Sequence, residues 1–163
     1  MKIVMSILAI VLLTKECDQK QLQTISENNA TEEFLRVSKQ EQDSLAFTYR
    51  TSTRGFFEII WVNKDSISFA KERDFKDKVT FACPEKEWDE LMGLYTALDT
   101  KILPELEPPS TTFRHDEKPM ATLKIDTKDE SYITNGFDHG RPPKLINELV
   151  NKLISMKEEV QKN

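Results

Sequence analysis

The chain has 163 residues, of which 38% are hydrophobic and 31% charged, and its formal net charge is −5 at pH 7. This length fits one domain with a hydrophobic core of its own. The acidic balance argues against a nucleic-acid partner, which would require a basic face, and it provides no polybasic segment for an anionic membrane.

The chain opens with a basic residue, an apolar run and then a polar segment. Lys2 precedes residues 3–13, which carry no charge, and the sequence turns polar before Cys17. This order is typical of an export signal, and the run is shorter than the roughly 20 apolar residues that a membrane span needs. We therefore predict a signal peptide over residues 1–16 and a protein that works in the cell envelope, in the periplasm or at the outer membrane.

The two cysteines, Cys17 and Cys83, leave three alternatives for the N-terminus. Cys17 can be the lipid-bearing first residue of a bacterial lipoprotein, although Lys15 and Glu16 occupy places where such proteins have small residues. Both cysteines can instead form a disulfide in an oxidising compartment. The third alternative is a retained N-terminal anchor. We favour lipidation at Cys17, so that any membrane attachment runs through the N-terminus.

Composition divides the remaining chain into a tether and a domain. Residues 17–44 are rich in Gln, Glu, Asn, Ser and Lys, and such a composition buries too little apolar surface to offset its ordering entropy. We predict a polar tether there and a single domain over residues 45–163.

The domain has the pattern of an α+β fold. Predicted strands cover residues 46–51, 56–62, 66–70 and 79–83, followed by a helix after Pro84, a hairpin over residues 120–137 and a last helix after Pro143. Each helix has one apolar stripe and needs a surface on which to bury it. The pattern predicts an open antiparallel sheet in the order β-β-β-β-α-β-β-α, with two amphipathic helices on one face.

The predicted hairpin brings two polar segments together. If Asp126 lies opposite Ser131, then Met120 lies opposite Phe137, and the chain before Met120 runs beside the chain after Phe137. The base of the hairpin then collects a polar cluster made of Arg114, His115, Asp116, Asp138, His139 and Arg141.

This cluster has several interpretations. Arg114 and Arg141 can clamp a carboxylate or phosphate, which makes the six residues a candidate ligand site. Two histidines and two aspartates can hold zinc, or a His–Asp pair can serve as base and orienter in a hydrolase. The simplest interpretation is structural, with Asp138 in an Asx-turn and Gly140 supplying an unusual backbone conformation. We predict no resident cofactor or metal.

Other residues give weaker signals. Cys83 ends a predicted strand beside Pro84 and fits a buried, inert thiol better than a nucleophile. The chain has no Gly-x-Ser-x-Gly elbow, and its four glycines are too few and too scattered for a phosphate-binding loop. Phe56 and Phe57 are neighbours at a predicted turn. One of their two rings can therefore be exposed as a contact for a partner.

Several strings together resemble a group of small uncharacterised flavobacterial proteins that are exported or lipoprotein-like. They are the segment at Cys17, residues 52–57, residues 83–88, and Asp138-His139-Gly140-x-Pro142-Pro143 before an Ile/Leu-rich helix. The group's Asp-Gly-Ala is replaced here by Asp116-Glu117-Lys118. The resemblance covers most of residues 49–155 and implies an envelope location and these domain boundaries, without an activity.

These observations favour a non-enzymatic binding module that is tethered in the envelope and recognises a protein or a small anionic ligand. The alternative is an envelope hydrolase or metal-binding protein that uses His115 and Asp116 with Asp138 and His139.

Overall fold

The computed structural model describes residues 43–162. Within them, the chain forms seven strands, two α-helices and three short 3₁₀ helices. In chain order these elements are β1 (Ala46–Ser52), β2 (Phe57–Asn63), β3 (Ser66–Ala70), β4 (Val79–Ala82), α1 (Glu85–Thr96), 3₁₀ helices at Thr100–Glu105 and Thr112–His115, β5 (Met120–Asp126), β6 (Ser131–Ile133), β7 (Phe137–Asp138), a 3₁₀ helix at Lys144–Ile146 and α2 (Asn147–Lys162).

The strands form one antiparallel sheet in the order β4-β3-β2-β1-β5-β6, with β7 also paired to β5. The α+β class, the open antiparallel sheet and the two helices on one face are confirmed. The predicted signal peptide over residues 1–16, Cys17, and all but the last two residues of the predicted tether lie outside the described residues.

Strand β1 shows why the sheet buries one face. Phe47, Tyr49 and Thr51 alternate with more exposed residues and turn toward the helices. The register places Tyr49 between Ile60 of β2 and Leu123 of β5, both fully buried. Because side chains alternate along a strand, this register puts the apolar residues of three strands on the same side.

Helices α1 and α2 cover that side with the predicted stripes. Trp88, Leu91 and Met92 are the buried residues of α1, and Leu149 and Leu153 are among those of α2. All five belong to the main core cluster with the inward side chains of the sheet. No α-helix within residues 43–162 is both long and apolar enough to cross a membrane.

The last turns of α2 remain on the sheet although residues 157–163 are almost all polar or charged. Helix α2 continues to Lys162, and Lys157 is only 9% exposed. Its ammonium pairs with Glu58 of β2 at 2.8 Å, which keeps this part of the helix on the sheet. Leu145 is 55% exposed in the 3₁₀ helix that precedes α2.

The hairpin register is confirmed near its tip and shifts by one residue at its base. Asp126 lies opposite Ser131 as predicted, but Met120 lies opposite Asp138 and not Phe137. Thr134 still bonds to Leu123 through both its N–H and its hydroxyl, after which the chain leaves the ladder at Asn135 and Gly136. The extra residue in this irregular stretch produces the shift.

The other sheet face carries a second, smaller apolar cluster of Phe57, Ile59 and Ala70, against which Trp61 packs. The β3–β4 connection folds over it, and the ring of Phe75 lies 5.3 Å from that of Trp61. Phe57 is therefore buried, whereas its neighbour in the turn, Phe56, is 41% exposed.

Candidate functional site

The carboxylate of Asp138 organises the predicted polar cluster. The residue is fully buried and accepts hydrogen bonds from the Ser110 hydroxyl at 2.5 Å, the Phe113 N–H at 2.7 Å, and the hydroxyl and N–H of Thr112 at 2.9 and 3.1 Å. These bonds fasten the 3₁₀ helix Thr112–His115 to β7. We call this arrangement the Asp138 clasp.

The hydrogen bonds also determine the ionisation of Asp138. Burial by itself would raise its pKa, but the donors on Ser110, Phe113 and Thr112 outweigh burial and lower the pKa from its ordinary 3.8 to about 2. Asp138 is thus a charged group whose two oxygens both serve the fold. Among the described residues, no three side chains of His, Cys, Asp or Glu come together in a way that could hold a metal ion.

His139 follows Asp138 directly but contacts different residues. Its Nδ1 lies 2.9 Å from the Tyr49 hydroxyl, and its backbone N–H donates to the Pro119 carbonyl at 2.8 Å. Burial lowers the pKa of His139, with Lys157 and Lys118 acting in the same direction and Glu58 opposing them. Asp138 makes no hydrogen bond with this imidazole, so the two residues are not arranged as an orienter and a base.

A largely buried ion pair that the sequence analysis missed lies near His139. Glu58 and Lys157 are 13% and 11% exposed at their side chains. Burial, followed by the charge of Glu58, raises the pKa of Tyr49 well above its usual range, so its hydroxyl stays protonated. The available signal was the single charge of Glu58 in an otherwise apolar strand, but its partner is 99 residues away in the chain.

The remaining predicted site residues are exposed around the Asp138 clasp. Arg114, His115 and Asp116 lie at the end of the 3₁₀ helix that Asp138 fastens, and Arg141 donates its backbone N–H to the Asp138 carbonyl at 2.8 Å. None of these four side chains makes an ion pair with another residue of the described part. The structure therefore brings the predicted cluster to one place, with Asp138 inside it and the cations at the surface.

Gly140 closes the turn between His139 and Arg141 in the left-handed region, with φ of +79° and open space where a Cβ would be. We expect Gly140→Ala to lower the free energy of unfolding by about 1 kcal/mol through backbone strain alone. Gly55→Ala is the control, because Gly55 also has open space around it but has no such φ. Urea unfolding of both variants measures the difference, and an equal effect would contradict the assigned cause.

Arginines outside the predicted cluster lie at the same end of the sheet. Ser52 at the end of β1 pairs with Phe57 and with Met120, and Met120 pairs with Asp138. The β1–β2 turn and the Asp138 clasp therefore share one end, which we call the arginine end. It holds all five arginines of residues 43–162, each of them exposed, namely Arg50, Arg54, Arg73, Arg114 and Arg141.

Two guanidinium groups at this end are held by contacts other than ion pairs, as far as the described residues show. Arg50 and Arg73 lie over the ring of Phe57, 5.5 and 5.2 Å from its centroid, and Arg73 also donates to the Thr53 carbonyl at 2.6 Å. Each of the seven ion pairs within the described residues has a lysine as its cation. Sequence reasoning missed Arg50, Arg54 and Arg73 because nothing local links them to residues 114–141.

Cys83 has the environment expected of an unreactive thiol. Burial, followed by the charges of Glu87 and Asp65, raises its pKa to about 11. It forms no disulfide with a described residue, and the position of Cys17 lies outside the description.

A cavity of about 510 Å³ lies elsewhere, between α1 and the start of α2, and none of the predicted site residues lines it. Four of its seven lining residues are leucines, and Lys144 and Glu148 also line it.

The chain matches no protein-family model, and a search of the curated proteins finds no match.

Proposed function

We propose that this protein is an exported, membrane-tethered module of the cell envelope that recognises an anionic ligand through its arginine end and performs no chemistry on it. The observation that carries the proposal is the gathering, at one end of an acidic chain, of five exposed arginines that form no ion pair within residues 43–162. Arginine is the side chain best suited to bind carboxylate or phosphate through two parallel hydrogen bonds.

The local carboxylates support this use of the arginines. Asp138 is buried and fully bonded inside the fold, and Glu58 is paired with Lys157. Asp116 and Glu117 are exposed beside Arg114, yet neither forms an ion pair with it in the described part of the chain. The guanidinium groups are therefore available to an external anion.

The envelope location rests on the sequence. The leader over residues 1–16, the cysteine that follows it and the polar tether favour export and attachment. Mass spectrometry of the mature N-terminus tests this part. A diacylglyceryl mass on Cys17 supports the tether, and an unmodified N-terminus or a Cys17–Cys83 disulfide contradicts it.

Anion recognition is tested by titrating the full chain with pyrophosphate in a calorimeter. We expect the double variants Arg50→Gln/Arg73→Gln and Arg114→Gln/Arg141→Gln each to bind pyrophosphate at least about tenfold more weakly at their own pair of arginines, because each removes the charge-assisted hydrogen bonds of that pair. The matched control is Lys86→Gln/Lys128→Gln, which removes the same charge from exposed positions away from this end.

The control should bind within about twofold of the unmodified chain, since exposed charges far from a ligand are screened by salt. Equal losses in the arginine and lysine variants would show non-specific attraction and would contradict the assigned site.

A further inference from the structure

The arginine end also exposes two large apolar side chains. Phe56 is 41% exposed and Met120 is 38% exposed. Both lie beside the paired row of Ser52, Phe57 and Asp138 that defines this end. Exposed apolar groups surrounded by cations are typical of a surface that meets both a charged and an apolar phase.

The backbone fixes the position of Phe56. Its N–H donates to the Thr53 hydroxyl at 3.0 Å, and its carbonyl accepts from the Thr53 N–H at 2.8 Å. These two hydrogen bonds close a turn around Arg54 and Gly55. The ring of Phe56 is exposed to solvent at the end of this turn. The side chain of Met120 packs through its sulfur against Gly136.

We propose that the arginine end docks on the anionic surface of the membrane to which the chain is tethered, with arginines on lipid phosphates and Phe56 and Met120 entering the interface. This proposal rests on the proposed function, since it names the anion that the arginines recognise. It assigns to the folded domain a second membrane contact, separate from the N-terminus.

The spread of the cations favours a surface over a single small anion. The row from Phe57 through Ser52 and Met120 to Asp138 crosses four adjacent strands, or about 14 Å. Arg50 and Arg73 lie near one end of the row and Arg114 near the other. One phosphate cannot reach both groups, whereas neighbouring lipid headgroups can.

The tether is long enough for this arrangement. The described part of the chain begins at Asp43, and Ala46 at the start of β1 is at the opposite end of the sheet from Ser52. Strand β1 is about 23 Å long, while residues 18–42 can span at most about 85 Å. The arginine end can therefore turn back to the membrane that holds the N-terminus.

The test places a tryptophan at the contact in the full chain. Phe56→Trp is bound to vesicles of phosphatidylcholine alone, or of phosphatidylcholine with an equal amount of phosphatidylglycerol, each containing acyl-brominated lipid that quenches nearby indoles. Phe81→Trp is the matched control, because Phe81 is 37% exposed but lies opposite Ile67, toward the other end of the sheet. Emission of the unmodified chain, with Trp61 and Trp88, is subtracted.

We expect at least twofold stronger quenching of Phe56→Trp than of Phe81→Trp in the anionic vesicles, and loss of that difference on adding Arg50→Gln/Arg73→Gln or about 0.5 M salt. Equal quenching of the two tryptophans, or equal quenching of Phe56→Trp in both vesicle types, would overturn the docking. Titrating the same samples with pyrophosphate separates the two proposals. If pyrophosphate still binds but Phe56→Trp is not quenched, the anion site is retained and only the membrane docking is contradicted.

Discussion

Replacing Asp138 with alanine is expected to lower the melting temperature by about 10 °C or more, because the buried donors on Ser110, Thr112 and Phe113 lose their acceptor together. Asp138→Asn should lower it less, since the amide keeps one oxygen. Differential scanning calorimetry measures both variants. Glu117→Ala is the control, because Glu117 is an exposed acid on the neighbouring segment and its loss should change the melting temperature by no more than a few degrees.

The same residue predicts a pH dependence with a definite sign. Asp138 has a folded pKa of about 2, below its ordinary 3.8, so its charged form favours the folded state. Its contribution is complete above about pH 4 and disappears as the pH falls through about 2. The stability difference between the unmodified chain and Asp138→Asn should therefore shrink across this window. A difference that stays constant down to pH 2 would contradict the role of the ionised carboxylate.

The lowered pKa of His139 acts at higher pH and in the same direction, because the folded state disfavours the protonated form of both groups. Burial disfavours the imidazolium, so protonation below about pH 6.5 reduces stability. Because both Asp138 variants retain His139, comparing them with the unmodified chain cancels this effect.

Lys157→Met is expected to lower the free energy of unfolding by about 3 kcal/mol, because it leaves the Glu58 carboxylate in a largely buried position without its cation. Combining it with Glu58→Gln should recover most of the loss, since the double variant has no uncompensated charge. Lys124→Met is the control, because the Lys124–Asp126 pair is 42% and 29% exposed and should contribute at most about 1 kcal/mol.

A double-mutant cycle in urea gives the coupling between Glu58 and Lys157, and a coupling near zero would contradict the prediction. An independent measurement follows the His139 imidazole by NMR. Lys157 is one of the cations that lower its pKa, so Lys157→Met should raise that pKa.

The local pattern was sufficient to predict most of the secondary structure. Alternation in β1 and the apolar spacing of α1 gave these elements within about two residues, because each pattern repeats with the period of its own backbone. The sequence pattern indicated one continuous second strand for the hairpin, whereas the structure divides it into β6 and β7. This division depends on Thr134 bonding through its side chain to Leu123, for which no periodicity exists.

The sequence predicted that the residues of the polar cluster lie together, but it predicted only part of what each side chain contacts. The hairpin argument brought residues 114–116 and 138–141 together even though its register shifted by one residue at the base. That Asp138 would be buried, and that His139 would contact Tyr49 and not Asp138, depends on the opposite directions of successive side chains at a short strand. The envelope location, the ligand class and the lipid on Cys17 stay predictions.

The sequence by itself determined the α+β class, the two helical stripes, the acidic balance and the adjacency of the two polar segments, because these follow from composition, local periodicity and one short hairpin. Only the tertiary structure decided where the arginines lie. Arg50, Arg54 and Arg73 come from elements that precede Arg114 and Arg141 by dozens of residues, and long-range strand pairing alone brings them to one end. Such pairing depends on the packing of the whole core, which no local stretch of sequence encodes.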